Sequence, residues 1–262
     1  MSFFTESFTE SFTELFTELF TEYMFWFQFL IFFLFLFLAT PSSFSSDPMA
    51  NMANEEHSKV TAQYTTSKIV LDGRLDEEIW KQTKTVRIEK VIKNGETVPA
   101  LSTEVRVLWT EESLYISYVA PYRKLMTFEP AIREGKRIGL WKRDVVEAFI
   151  NPNPNEINRY SEYEVAPTGE KFDLLLDWPN KDFLWNSRFE AAVHLDSELG
   201  LWTTEMRIPF SAFGNTIPIS GTCWRINFYR HASKEKVFLG WQPTMNDSAH
   251  IPKRFGILEF IK

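Results

Sequence analysis

Cysteine is nearly absent: the 262-residue chain has one, Cys223, so it can build neither a disulfide framework nor a cysteine-based metal site. Excess positive charge is absent too, with 28 Lys and Arg against 35 Asp and Glu and a formal net charge of -7. That balance excludes a nucleic acid as partner, because phosphate binding needs a basic face that releases counterions. The four histidines, His57, His194, His231 and His250, stand at no metal-ligand spacing, which argues against zinc chemistry. No Gly-rich phosphate loop occurs, which removes the nucleotide-binding α/β folds. What the chain has in quantity is aromatic rings, 9 Trp, 8 Tyr and 25 Phe, and together with the acidic balance they point to a neutral ligand.

Long apolar runs are confined to the N-terminus. Residues 1–23 are a low-complexity Thr-Glu-x-Phe repeat, with Thr-Glu recurring at Thr5, Thr9, Thr13, Thr17 and Thr21. A strict period of four drifts around a helix of about 3.6 residues per turn, so an amphipathic helix competes with a translated short DNA repeat upstream of the true start. Residues 24–46 hold an apolar stretch from Met24 to Leu38 followed by Ala39-Thr40-Pro41-Ser42-Ser43, the shape of a signal-peptide core and its cleavage zone. The stretch is short of the roughly 20 apolar residues a spanning helix needs. A signal peptide is the expectation and a retained anchor the alternative; only the anchor would make the membrane a partner. The destination is then export: secreted, periplasmic or cell-surface. Residues 47–66 read as a polar linker and 67–262 as one domain, long enough for a full hydrophobic core.

Within that domain the apolar period is two rather than 3.6. Val105, Val107 and Trp109 alternate with Arg106 and Leu108, and Leu114, Ile116 and Tyr118 with Tyr115 and Ser117. Further strands are expected at 145–150, 160–165, 172–176, 190–195, 202–208, 224–229 and 256–261, with turn residues between them. Helix is limited to short turns at 75–80 and 209–213. The expected fold class is all-β: an antiparallel β-sandwich of jelly-roll kind with a few short helical turns.

Five stretches carry a resemblance: IVLDGRLDEEIW at 69–80, VRVLW at 105–109 with LYI at 114–116, WKRDVVEAFI at 141–150, WRINFYR at 224–230, and WQP at 241–243 continuing through His250, Pro252 and Phe255-Gly256. In this order they resemble the family 9 carbohydrate-binding modules, which are related in fold to DOMON domains. The resemblance covers about residues 67–262 and implies non-catalytic binding of an oligo- or polysaccharide. In such modules the end of a sugar chain lies between two Trp rings, with charged and amide side chains on its hydroxyls. Carried onto this chain, that implies Trp141 as one ring with Glu147 six residues on, accompanied by Arg143 and Asp144. It further implies Arg225, Asn227 and Arg230 as polar contributors and Trp241 as the second ring.

Each of these has a structural alternative. Trp141 can be a rim ring that covers the core, Glu147 the partner of a nearby Arg, and Arg230 a salt bridge to Asp144 or Glu147. The alternation at 224–230 puts Trp224, Ile226 and Phe228 in the core and leaves Arg225, Asn227 and Tyr229 as the candidate surface. Asp144 and Glu147 also invite a glycosidase reading, but strand residues three apart point to opposite faces and do not converge on one bond. Trp178 and Trp185 flank a loop that offers another platform. DOMON relatives suggest haem as the competing ligand, with Met206, Met245, His231 and His250 as available axial groups. Structural calcium is allowed near Asp72, Asp76 or the Asn-Pro-Asn-Pro-Asn loop at 151–155, although no twelve-residue calcium loop exists.

Overall fold

Alternation decides which side of each strand is buried, and pairing decides what that side meets. The computed structural model describes residues 57–132, 134–214 and 216–262; the expectations for 1–46 and for the first part of the linker lie outside them. The described strands are β1 (Lys59–Tyr64), β2 (Val86–Ile88), β3 (Lys90–Val91), β4 (Thr103–Trp109), β5 (Ser113–Pro121), β6 (Val145–Asn151), β7 (Arg159–Val165), β8 (Lys171–Asp177), β9 (Asn180–Asp182), β10 (Glu190–Asp196), β11 (Leu201–Pro209), β12 (Cys223–Ala232), β13 (Val237–Gly240) and β14 (Gly256–Ile261). They join in the order β10-β11-β5-β4-β1-β14-β12-β6-β7-β8-β9, with β2 added to β4 and β13 linking β12 to β3.

This sheet curls into two leaves whose facing sides form one core. Val105, Val107, Leu114, Ile116, Tyr118, Trp202 and Met206 of the β11-β5-β4 leaf meet Val146, Ala148, Ile150, Tyr163, Trp224, Ile226 and Phe228 of the β12-β6-β7 leaf. Burial of each large side chain contributes about 1.5–3 kcal/mol, and ring pairs such as Tyr118 with Phe228 at 6.3 Å span the leaves. The all-β sandwich is therefore as expected, but the sheet is mixed rather than purely antiparallel. Lys59–Tyr64, read from sequence as linker, is β1, which runs parallel to both β14 and β4 and closes the curl. Its inward residues there are the small Val60 and Ala62, too weak an alternation to stand out among Lys59, Thr61 and Gln63.

The 69–80 stretch anchors to the outer side of the other leaf through one carboxylate. Glu205 accepts hydrogen bonds from Gly73 N at 2.7 Å, Asp72 N at 3.1 Å and Trp80 Nε1 at 3.0 Å. Gly73 is required there, since its φ is +81° and a Cβ would stand 2.6 Å from the backbone carbon of Val193. The expected helical turns are a helix at Glu78–Gln82 and a 3-10 turn at Phe210–Phe213.

The β12-β6-β7-β8 leaf is buried on its outer face as well. Val145, Phe149, Tyr160, Phe172, Leu174 and Tyr229 form a second core under Leu140, Ala249 and Phe255, so β6 is buried at every position. Polar side chains on that face are thereby enclosed, and this is what creates a site.

Candidate functional site

Val146, Ala148 and Ile150 point into the inter-leaf core, so Glu147 and Phe149 must face outward. Pairing then brings more acid to the same place: Glu147 lies opposite Glu164 of β7, and Phe149 opposite Glu162. Directly opposed residues share a face, which makes Glu147, Glu162 and Glu164 one carboxylate cluster, with exposures of 2%, 5% and 0%. Glu147 and Glu162 form the floor of a cleft of about 360 Å³ whose lining also includes Trp141, Phe149, Lys181, Phe183, Phe238 and His250. This falls within the roughly 300–1,000 Å³ of small-molecule sites.

The walls come from separate elements. Gly139, at φ +88°, turns the chain into a 3-10 turn at Leu140–Lys142 that presents Trp141, which is 37% exposed and rests edge-on against Phe172 at 5.6 Å. His231 Nδ1 and the Trp141 carbonyl lie 2.6 Å apart, and the His231 ring is 5.5 Å from Phe238, which ties two wall residues together. On the far side His250 stacks between Phe149 at 5.2 Å and Trp178 at 5.5 Å, with Tyr160 Oη at 2.9 Å from its Nδ1.

Of the residues expected from sequence, the structure brings Trp141 and Glu147 together at this cleft. Arg143 stacks on Phe128 at 4.9 Å, away from it. Asp144 is buried and accepts from Met126 N at 2.6 Å, fixing the preceding loop to β6. Arg225, Asn227 and Tyr229, expected as a candidate surface, lie under the segment 241–255. Arg225 donates to Lys253 O at 2.7 Å, and Asn227 clamps Gln242, donating to its O at 2.9 Å and accepting from its N at 3.0 Å. Arg230 points into the inter-leaf side, donating to Leu101 O at 3.0 Å, Thr103 Oγ1 at 2.9 Å and Pro121 O at 2.6 Å. Trp241 is 7% exposed and belongs to the inter-leaf core, 5.7 Å from Phe228, so it supplies no second wall.

The haem candidates are likewise dispersed. Met206 is in the core, Met245 is exposed, His231 is engaged at Trp141 and His250 in its ring stack; no Met and His of the four share the cleft. Among the described residues no group of three or more His, Cys, Asp or Glu is placed to hold a metal ion. Asp72 Oδ1 instead accepts from Arg74 N, and Asn151 Oδ1 from Asn153 N.

Sequence reasoning missed Glu162, Glu164, Phe183 and Phe238. Alternation does put Glu162 and Glu164 on the face opposite Tyr163 and Val165, but such a pattern ordinarily marks a solvated face. It becomes a site only because β7 pairs with β6.

Burial raises the pKa of Glu147 and of Glu164 well above the ordinary glutamate value of 4.5, and the neighbouring Glu162 adds to both shifts; burial raises Glu162 as well. His250 is held down at about 4 by burial and by Lys181. The raised carboxyls contribute stability that is full below pH 4.5 and lost as pH rises through their folded values. His250 works in the opposite sense but is neutral in both states above pH 6.5. The carboxyls therefore lower the melting temperature as pH rises above 4.5, and Glu164→Gln is expected to flatten that loss relative to the unsubstituted chain, in which the His250 contribution is the same; differential scanning calorimetry of both proteins across the range checks it.

Residues 71–262 match the family model described as carbohydrate family 9 binding domain-like. An extracellular protein of Arthroderma benhamiae is 25% identical over 194 residues, covering 67% of this chain and 85% of its own length. Endo-1,4-beta-xylanase A of Thermotoga neapolitana is 24% identical over 212 residues; the match takes in 77% of this chain but 18% of the xylanase. Among solved structures, a family 9 carbohydrate-binding module from Caldicellulosiruptor kristjanssonii in complex with cellotriose superposes with a TM-score of 0.58 at 17% identity, covering 78% of this chain and 94% of that one. At that identity the likeness is one of fold.

Proposed function

The chain belongs to the carbohydrate family 9 binding domain-like family, and from that premise we propose that the Trp141 cleft binds a saccharide without altering it covalently. The observation that carries this reading is the pairing of a half-exposed indole with buried carboxyl oxygens that have no protein partner, Glu147 Oε1 and Glu162 Oε2. A pyranose has the matching chemistry: an apolar face for the ring and hydroxyl donors for the acids. Hydrolysis is the poorer use of the same groups. Glycosidase carboxyls flank the scissile bond, whereas Glu147 and Glu162 approach from one side, both being on the floor of one sheet face.

The cellotriose complex of the Caldicellulosiruptor module makes a β-1,4-linked glucan the first ligand to try. Burial of about 100 Å² against Trp141 contributes about 2.5 kcal/mol, and each charge-assisted hydrogen bond about 1.5–3 kcal/mol. After ordering and desolvation costs, a Kd of about 10 μM to 1 mM is expected. Isothermal titration calorimetry of the chain with glucose and cellotriose tests this; a folded protein that gives no heat with either, or with a broad glycan panel, overturns it.

The same reading makes the protein a secreted, periplasmic or cell-surface polysaccharide-recognition module that includes β1 and so begins at Lys59 rather than at 67. The apolar segment at 24–46 and the extracellular relative support it. Its test is N-terminal sequencing of material recovered from the culture medium.

A further inference from the structure

The cleft floor holds more acid than a neutral sugar compensates. Glu147, Glu162 and Glu164 adjoin one another across β6 and β7, each more than nine-tenths buried, and Glu147 Oε1 and Glu162 Oε2 have no hydrogen-bond partner. The nearby donors are spent elsewhere: Tyr229 Oη donates to Ala249 O at 2.9 Å, Tyr118 Oη to the backbone carbonyl of Glu147 at 3.0 Å, and Tyr160 Oη is engaged with His250. The neighbouring cations are committed as well, Arg230 to the inter-leaf carbonyls and Lys136 to Asp173 at 2.8 Å. Lys181, on the cleft rim over the Trp178 ring at 5.1 Å, does act on Glu162 and partly offsets its charge, but one lysine does not balance three acids. Asp247 is paired with Lys93 at 2.9 Å. A buried carboxylate without a counter-charge is costly, and here the side from which a cation can arrive is the open cleft.

We propose that the saccharide selected by this cleft carries a protonated amine, as a 2-amino-2-deoxyhexose unit does, with the ammonium on Glu147 and Glu162 and the pyranose face on Trp141. The inference rests on the saccharide reading above and names its ligand class. The aromatic walls at Trp141, Phe183 and Phe238 favour a sugar over a lysine side chain, which has no ring face to stack. Burial, which raises the pKa of all three acids, supports the same direction: an incoming ammonium replaces the proton as the compensating charge.

The test is calorimetry of the full chain at pH 6 with the β-1,4-linked glucosamine trimer, its N-acetylated counterpart and cellotriose. The amine-bearing trimer is expected to bind about ten-fold tighter than cellotriose, because its ammonium brings a full compensating charge to the acids where a hydroxyl brings only a dipole. Acetylation should abolish that advantage, and Glu162→Gln, which removes charge while keeping shape, should narrow it. Cellotriose binding as tightly as the glucosamine trimer, or tighter, overturns this inference and leaves the saccharide reading standing; no heat with any of the three from a folded chain overturns both.

Discussion

Trp141→Ala is expected to weaken cellotriose binding by roughly 50–100-fold, the equivalent of about 2.5 kcal/mol of lost apolar contact, in a protein that remains folded. Trp141 is presented by a 3-10 turn and touches the second core through one edge contact with Phe172, so its removal strips a wall from the cleft rather than a layer from the sandwich. Calorimetry on the variant, with near-ultraviolet circular dichroism to confirm the fold, separates the two effects. Unchanged affinity in the folded variant would remove the indole from the binding site and the cleft reading with it.

Trp241→Ala is expected to do the reverse. Trp241 packs between Phe228 and the backbone of Gly256, where a Cβ would come within 2.4 Å of the indole. Truncating so large a buried side chain leaves a cavity and costs about 3–5 kcal/mol, seen as a lowered urea midpoint with an unchanged slope. At ligand concentrations and temperatures where the variant is folded, saccharide affinity should fall far less than in Trp141→Ala. A stable Trp241→Ala protein that had lost binding would instead restore Trp241 as a ligand ring.

These two tryptophans show how legible the site was. Both stand in loop-edge sequence beside glycine, Gly139-Leu140-Trp141 and Gly240-Trp241, and local sequence could not separate them. What separates them is what folds over each: Gly256 removes a side chain from β14 so that Trp241 can sink inward, whereas the turn at Gly139 holds Trp141 outward. The face assignments at 224–230 were correct for Trp224, Ile226 and Phe228. They misled for Arg225 and Asn227, because alternation says which residues leave the core and not whether a second layer covers them.

By itself, the sequence determined the strand periodicity, the inward face at Trp224, Ile226 and Phe228 and the all-β class, since these follow from the two-residue repeat of a pleated strand; Trp141 with Glu147 came from the resemblance to the family 9 modules. Only the tertiary structure decided that β1 joins the sheet, that Arg230 and Trp241 are internal, and that Glu147, Glu162 and Glu164 converge. Those outcomes depend on which strands pair and in what register. Register between β6 and β7 is a long-range property, set by how both leaves bury their apolar faces at once.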